Sequence, residues 1–471
     1  MVFSSAVFVF AFLPIVLIGY YVVQSRYRNA LLLVASLLFY AYGEPKFVFV
    51  MLASILFNYG FALLIDYSNN RRVRKLVLWC AVLVNLGLLF EYKYFGFAQN
   101  ILNKVLGGMV FSWPVPELPI GISFFTFQAL SYVLDVYFGR AAVQKNPFHV
   151  ALYISFFPQL VAGPIVRYNT IAEQIQNRTV TLEKFSDGVH RFILGFAKKV
   201  IIANNVAIVA QEAFATGQNH SFLMFWLGAI AFTLQIFFDF SGYSDMAIGL
   251  GKMFGFTFEE NFNYPYISGS ITEFWRRWHM SLSQWFRDYV YIPLGGSRVG
   301  LLRNIGNLFV VWLLTGIWHG ANYTFIAWGL LQFAVQLLEK FLIRPQKCRL
   351  ALIRWGWRVV TILVIIAGWV IFNSASLTEA KQYLSAMCGR GVTVWVDAQA
   401  LHLCWEYGVY LLLGIVFSTP IAPVVGKKFR SLLRSEDTFY YLRSGGELFL
   451  FCWAVSFVLL GSYNPFIYFN F

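Results

Sequence analysis

Leu308-Phe-Val-Val-Trp-Leu-Leu314-Thr-Gly-Ile-Trp-His319-Gly-Ala-Asn322 is an unbroken apolar run that closes on an imidazole. A titratable side chain at membrane depth is costly and as a rule functional, and histidine is the usual proton carrier near neutral pH. A second histidine lies forty residues upstream, in Thr272-Glu-Phe-Trp-Arg-Arg-Trp-His279-Met-Ser-Leu-Ser-Gln-Trp-Phe-Arg-Asp-Tyr289. A membrane protein that keeps two such groups has chemistry to perform with them.

Working outward, the whole chain supports the membrane reading. Of 471 residues, 59% are hydrophobic and 12% charged, and mean hydropathy is +0.63. Soluble domains carry roughly 25% charged residues. No polar stretch is long enough for a separate soluble domain, so residues 1–471 read as one integral membrane domain. The 26 Tyr and 15 Trp suit interfacial belts. The net charge of +14 does not indicate nucleic acid, because the basic residues cluster between apolar runs. Arg26 and Arg28, then Arg71–Lys75, Arg344–Arg358 and Lys427–Arg434 show the positive-inside pattern of cytoplasmic loops. Five cysteines lack CxxC spacing and read as small core residues with no disulfide framework.

Ala6–Val23 reads as a first transmembrane helix whose following arginines place the N-terminus outside. Twelve further apolar runs follow, among them Ile120–Tyr137, Phe222–Phe238, Tyr407–Val425 and Leu448–Leu460. A full crossing takes about 20 residues, and several runs are shorter. The expectation is 10–13 membrane-embedded helices, some tilted or re-entrant. Residues 239–303 break the pattern with twelve charged side chains, Pro265 and Pro293. Within them Trp278, Leu282, Trp285 and Tyr289 recur at helical spacing. That predicts an amphipathic helix over Ile271–Val290 at the cytoplasmic interface, or else a plain surface anchor.

Few constellations have catalytic spacing. No metal site is expected, since His402 and Cys404 lack further ligands. His149, His190 and His220 stand alone. Gly249, Gly251 and Gly255 read as helix packing. His319 reads as a general base with Asn322 as a candidate hydrogen-bond partner, or as a structural polar contact. Arg167, after Gly163-Pro164, is either an anion clamp or a snorkelling anchor.

Several blocks together resemble the membrane-bound O-acyltransferases, in the bacterial branch acting on alginate, peptidoglycan and teichoic acid. They are Pro119–Phe127, Phe157–Tyr168, Asp239–Met246, Glu260–Tyr266, Phe274–Tyr289 and Trp318–Asn322, and they lie in a core of about 119–325. The resemblance implies an all-α integral membrane fold. Its helices form a ring around a thinned centre, where a tunnel joins a cytoplasmic cavity to an extracytoplasmic funnel. It also implies that His319 is catalytic and that His279 faces the same tunnel from the cytoplasmic half. Arg276, Arg277, Arg167, Asn322, Trp318, Ser283 and Asp245 are then expected around substrate or donor.

The chain ends in a span and tail over 448–471, closing with Phe466-Ile-Tyr468-Phe-Asn-Phe471. From composition alone this is an aromatic interfacial anchor. Its pattern is similar to the terminal motif of a small partner peptide in the D-alanyl system, whose tyrosine is proposed to carry the acyl group. The resemblance therefore implies Tyr468 as a third catalytic residue. The expected activity is acetyl transfer from cytosolic acetyl-CoA, with no bound cofactor. The acetyl group passes through Tyr468 and an extracytoplasmic SGNH-type partner to an envelope or secreted polysaccharide. The expected location is a bacterial cytoplasmic membrane, among lipids, with both termini outside. D-alanyl transfer to teichoic acid and a non-catalytic flippase or channel subunit are the alternatives.

Overall fold

Apolar runs in lipid must satisfy their backbone hydrogen bonds internally, which leaves helices or closed barrels. The computed structural model describes residues 1–161, 163–215, 221–345, 350–433, 435–461 and 466–467, and every regular element among them is helical. Nine helices among the described residues are long and apolar enough to cross a membrane, and Phe8–Val22 is a shorter apolar one.

Capping residues move several boundaries away from the apolar runs. The run at Tyr407–Val425 is a helix over Ala398–Phe417, because the Asp397 carboxylate accepts the Ala400 amide at 2.6 Å and starts it early. It ends ahead of Pro420, which cannot continue it. The last span begins at Glu436, not Leu448, and its polar first half carries an Arg443–Glu447 pair at 2.7 Å. The cysteines are not core residues. Cys80, Cys388 and Cys452 are exposed and Cys404 partly so; Cys348 lies outside the described residues.

Contacts divide the chain into two compact units. One contains residues 1–192 and 246–259. Its core helix, Ile122–Tyr137, is buried at nearly every position. Tyr132 and Tyr153 pack on Tyr168 at 4.6 and 5.2 Å between ring centres. A Cβ on Gly249 would lie 2.6 Å from the Gly188 carbonyl oxygen and one on Gly251 2.7 Å from the Phe258 ring, so these two are packing residues as their spacing suggests, whereas Gly255 follows the helix end with a left-handed φ of 85°.

The other unit contains residues 193–245 and 260–467. Its elements used below are α1 (Phe222–Met253, of which the residues up to Asp245 belong to this unit), α2 (Ile271–Arg277), α3 (Met280–Phe286), α4 (Leu301–His319), α5 (Tyr323–Leu337) and α6 (Ala351–Asn373). Two glycines bring α4 and α5 together. A Cβ on Gly316 would lie 2.6 Å from the Phe325 carbonyl oxygen, and one on Gly329 2.6 Å from that of Trp312. This close approach fixes the end of α4, where His319 sits. Gly316→Ala should force the helices apart at a cost of about 1–3 kcal/mol. Thermal unfolding in detergent checks this, and an unchanged midpoint would show the contact to be loose.

Candidate active site

The expected amphipathic helix over Ile271–Val290 is two buried helices broken at Trp278–His279. Ser270 caps α2 by accepting the Glu273 amide at 3.0 Å, while the Glu273 carboxylate reaches back to accept the Gly269 amide, one residue before the cap, at 2.9 Å. The buried Glu339 adds a second cap, taking the Ile271 and Thr272 amides at 2.6 and 2.8 Å. α2 ends after Arg277, and His279 adopts a left-handed backbone with φ 43° before α3 begins. Such a conformation is costly for a residue with a Cβ. The apolar stripe Trp278, Leu282, Trp285 and Tyr289 is buried, so no free surface helix exists here.

The kink holds the His279 ring in one orientation. Only 1% of His279 is exposed, and its Nδ1 lies 3.2 Å from Asn261 Oδ1. That oxygen also accepts the Ser281 backbone N–H at 3.3 Å and the Ser281 hydroxyl at 2.9 Å. The Asn261 amide nitrogen donates to Ser244 Oγ at 2.9 Å. A backbone N–H can only donate, so Asn261 Oδ1 is an acceptor and His279 Nδ1 carries the proton. Nε2 then presents a lone pair, and no hydrogen-bond partner meets it among the described residues. His279 belongs to none of the helices long and apolar enough to span a membrane, and burial pushes its pKa down to about 3. It is a neutral hydrogen-bond acceptor.

His319 closes α4 and is 4% exposed. Its ring packs edge-on against Trp318, Trp328 and Phe372, with centres 4.9, 5.0 and 5.2 Å away. Trp318 also meets His279 at 5.9 Å, so one indole joins the two histidines. Asn322 is not the partner expected for His319. Its Oδ1 caps α5 through the Thr324 amide at 3.2 Å, and its amide nitrogen donates to the Ala375 carbonyl at 2.9 Å.

A cavity of about 690 Å³ opens onto His279. Its wall includes Trp275, Trp312 and Thr315, together with Arg276, Arg287, Lys340 and Arg344 against the single acid Glu339. Ser283 also lines it and donates to the Trp275 carbonyl at 3.1 Å. Arg277 turns away and pairs with Glu273 at 2.9 Å. Asp245 pairs with Lys198 at 2.6 Å, and Arg167, in the other unit, pairs with Glu259 at 3.1 Å. None of these three is among the residues lining the cavity. His402 pairs with Glu406, and no group of three metal-binding side chains occurs among the described residues. Tyr468 lies outside the described residues.

Sequence reasoning missed Asn261 and Glu339. Asn261 sat in the Glu260–Tyr266 block without a role, and only its proximity to His279 reveals one. Glu339, a lone carboxylate late in an apolar run, gave a signal that went unread. His279→Ala should lower the catalysed rate about tenfold or more, whereas His279→Asn, which retains an acceptor oxygen, should keep part of it. Initial rates of the two variants decide this, and full activity in both would leave His279 a packing residue.

The kinked histidine, the indole between two imidazoles and the residues lining the basic cavity all lie within one matched region. Residues 140–378 match MBOAT, the membrane-bound O-acyltransferase family. The chain belongs to that family. It is 46% identical over 396 residues to the "Probable alginate O-acetylase AlgI" of Pseudomonas syringae pv. tomato, covering 83% of this chain and 76% of that protein. The protein of the same name from Azotobacter vinelandii is 40% identical, with all of both chains covered. The "Peptidoglycan O-acetyltransferase" of Helicobacter pylori is 32% identical, covering 100% of this chain and 98% of that protein. The protein is thus a multi-pass membrane acyltransferase of the O-acetyltransferase kind.

Proposed function

We propose that this MBOAT protein carries acetyl groups from cytosolic acetyl-CoA across a bacterial cytoplasmic membrane for O-acetylation of a polysaccharide. The observation that carries this reading is the 690 Å³ cavity, with four cationic side chains and a neutral imidazole in its wall. Cations suit the phosphates of a nucleotide thioester. The volume falls within the range of small-molecule sites. The pantetheine arm carries amide N–H groups, and His279 Nε2 is the acceptor that orients one of them.

In the transfer step His319 takes the phenolic proton of Tyr468, and the phenolate oxygen attacks the thioester carbonyl. The C–S bond breaks, and the departing thiolate regains the proton from His319. A phenol of ordinary pKa about 10 is little ionised at neutral pH, so a base in place contributes roughly 10²–10⁴ in rate. Residues 466 and 467, immediately before Tyr468, support the relay because they are buried and the Phe466 ring packs on Phe240, which in turn meets the His279 ring. An extracytoplasmic SGNH-type partner then receives the acetyl group. The final acceptor is an envelope or secreted polysaccharide, with alginate the polymer in the names of the most similar relatives. Basic loops face the cytoplasm and both termini face outward.

Arg276→Ala tests the donor site. Loss of one charge-assisted contact to phosphate should raise the KM for acetyl-CoA about tenfold. S-acetylpantetheine, which lacks the phosphates, should show no such change. An equal change for both donors would contradict phosphate recognition. No turnover of acetyl-CoA by the wild type, with turnover of a D-alanyl carrier protein, would replace this reading by D-alanyl transfer.

A further inference from the structure

Asp239 and Lys199 form an ion pair at 2.5 Å, and their side chains are each only 2% exposed. Both lie within apolar spans, Lys199 in Leu182–Phe214 and Asp239 in α1. Small residues make the pairing possible: a Cβ on Gly242 would lie 2.8 Å from the Gly195 carbonyl oxygen and 3.1 Å from the Lys199 nitrogen. Two buried ions lose several kcal/mol of hydration each, and apolar replacements are often as stable. Stability alone therefore gives such a pair no reason to exist, and charges inside a membrane protein are usually there for function.

The second carboxylate oxygen shows what the pair does. Asp239 Oδ2 accepts the backbone N–H of Ile467 at 2.7 Å, a buried contact across 228 positions of sequence. The preceding residue, Phe466, has 0% exposure. Its ring lies 4.9 Å from Tyr243 and 5.8 Å from Phe240. Phe240 meets the His279 ring edge-on at 4.6 Å. The tail at these two residues is seated in the protein interior rather than on a surface.

We infer that Asp239, oriented by Lys199, is a seat for the C-terminal segment, with Phe466 as its apolar anchor. Asp239 is thereby a positioning residue for the next residue of the chain, Tyr468. The carboxylate grips a backbone amide, and the pocket between Phe240 and Tyr243 selects an aromatic ring one residue earlier. The seat stands on its own contacts, whereas its role in positioning rests on the relay reading of Tyr468.

The test uses the full chain in detergent and has two measurements. The first is release of Ile467 by a carboxypeptidase. Asp239→Asn, which weakens both the ion pair and the amide contact, should speed that release about tenfold. Phe466→Ala should do the same, and because it alters only the tail it guards against a failure of Asp239→Asn to fold. The second is steady-state transfer from acetyl-CoA. In both variants kcat should fall several-fold with KM for the donor unchanged, since a misplaced tail leaves the donor cavity as it was. Wild-type release rates in both variants would overturn the seat. Faster release with unchanged kcat would overturn positioning, and a rise in KM alongside the loss of kcat would mark general structural damage in its place. Full polymer acetylation by Tyr468→Phe would defeat the relay reading, while the release measurement would still decide the seat.

Discussion

His319→Ala should all but abolish acetyl transfer, with the rate expected to fall by about 10²–10⁴ as the loss of a general base requires. The substitution removes a ring packed among Trp318, Trp328 and Phe372 at the last residue of α4. Insertion and yield should therefore match wild type, and fluorescence-detected gel filtration checks this. The rate is followed as release of free CoA thiol from acetyl-CoA. A variant that keeps more than about a tenth of the rate removes His319 from the role of base, given the expected contribution. His319→Gln separates proton transfer from packing: it fills part of the ring's volume yet cannot serve as a base, so it should be as inactive as His319→Ala.

The general fold was legible because lipid leaves few choices. Long apolar runs and basic clusters give a helical membrane protein, and nine such helices are present among the described residues. Boundaries were less legible, since caps such as Asp397 and polar helical turns such as Glu436–Glu447 lie outside any hydropathy signal. Periodicity also read through the kink at His279. Trp278 and Leu282 keep helical spacing across a residue that is not helical, and only backbone angles reveal the break. Within the site, the two histidines and Trp318 were found as motif residues. Their neighbours Asn261 and Glu339 were not, because their partners lie far away in sequence. Arg277, Asp245 and Asn322 were expected near substrate, yet each has a structural partner that a linear reading cannot supply.

Tyr468→Phe should stop acetyl reaching the polysaccharide while leaving the protein folded. Phenylalanine keeps the ring and its apolar area and removes only the nucleophilic oxygen, so packing and transfer are separated in one atom. The residues before it give this substitution its weight. Phe466 and Ile467 are buried and tied to Asp239, which is more than an interfacial anchor requires. Truncation after Pro465 should have the same functional effect. Polymer acetylation in cells, measured by ester content, reads both. Normal acetylation by Tyr468→Phe would return the tail to a structural role and require direct transfer to another hydroxyl.

The central claim is that His319 moves acetyl from a cytosolic thioester onto the chain's own C-terminal tyrosine. Mass spectrometry of the C-terminal peptide after incubation of the purified protein with isotopically labelled acetyl-CoA tests it most directly. The account predicts a labelled acetyl ester on Tyr468 in the wild type, labile to hydroxylamine, and none in His319→Ala or Tyr468→Phe. Acetyl-CoA turnover by the wild type with no label at Tyr468, in the absence of any downstream acceptor, would contradict it.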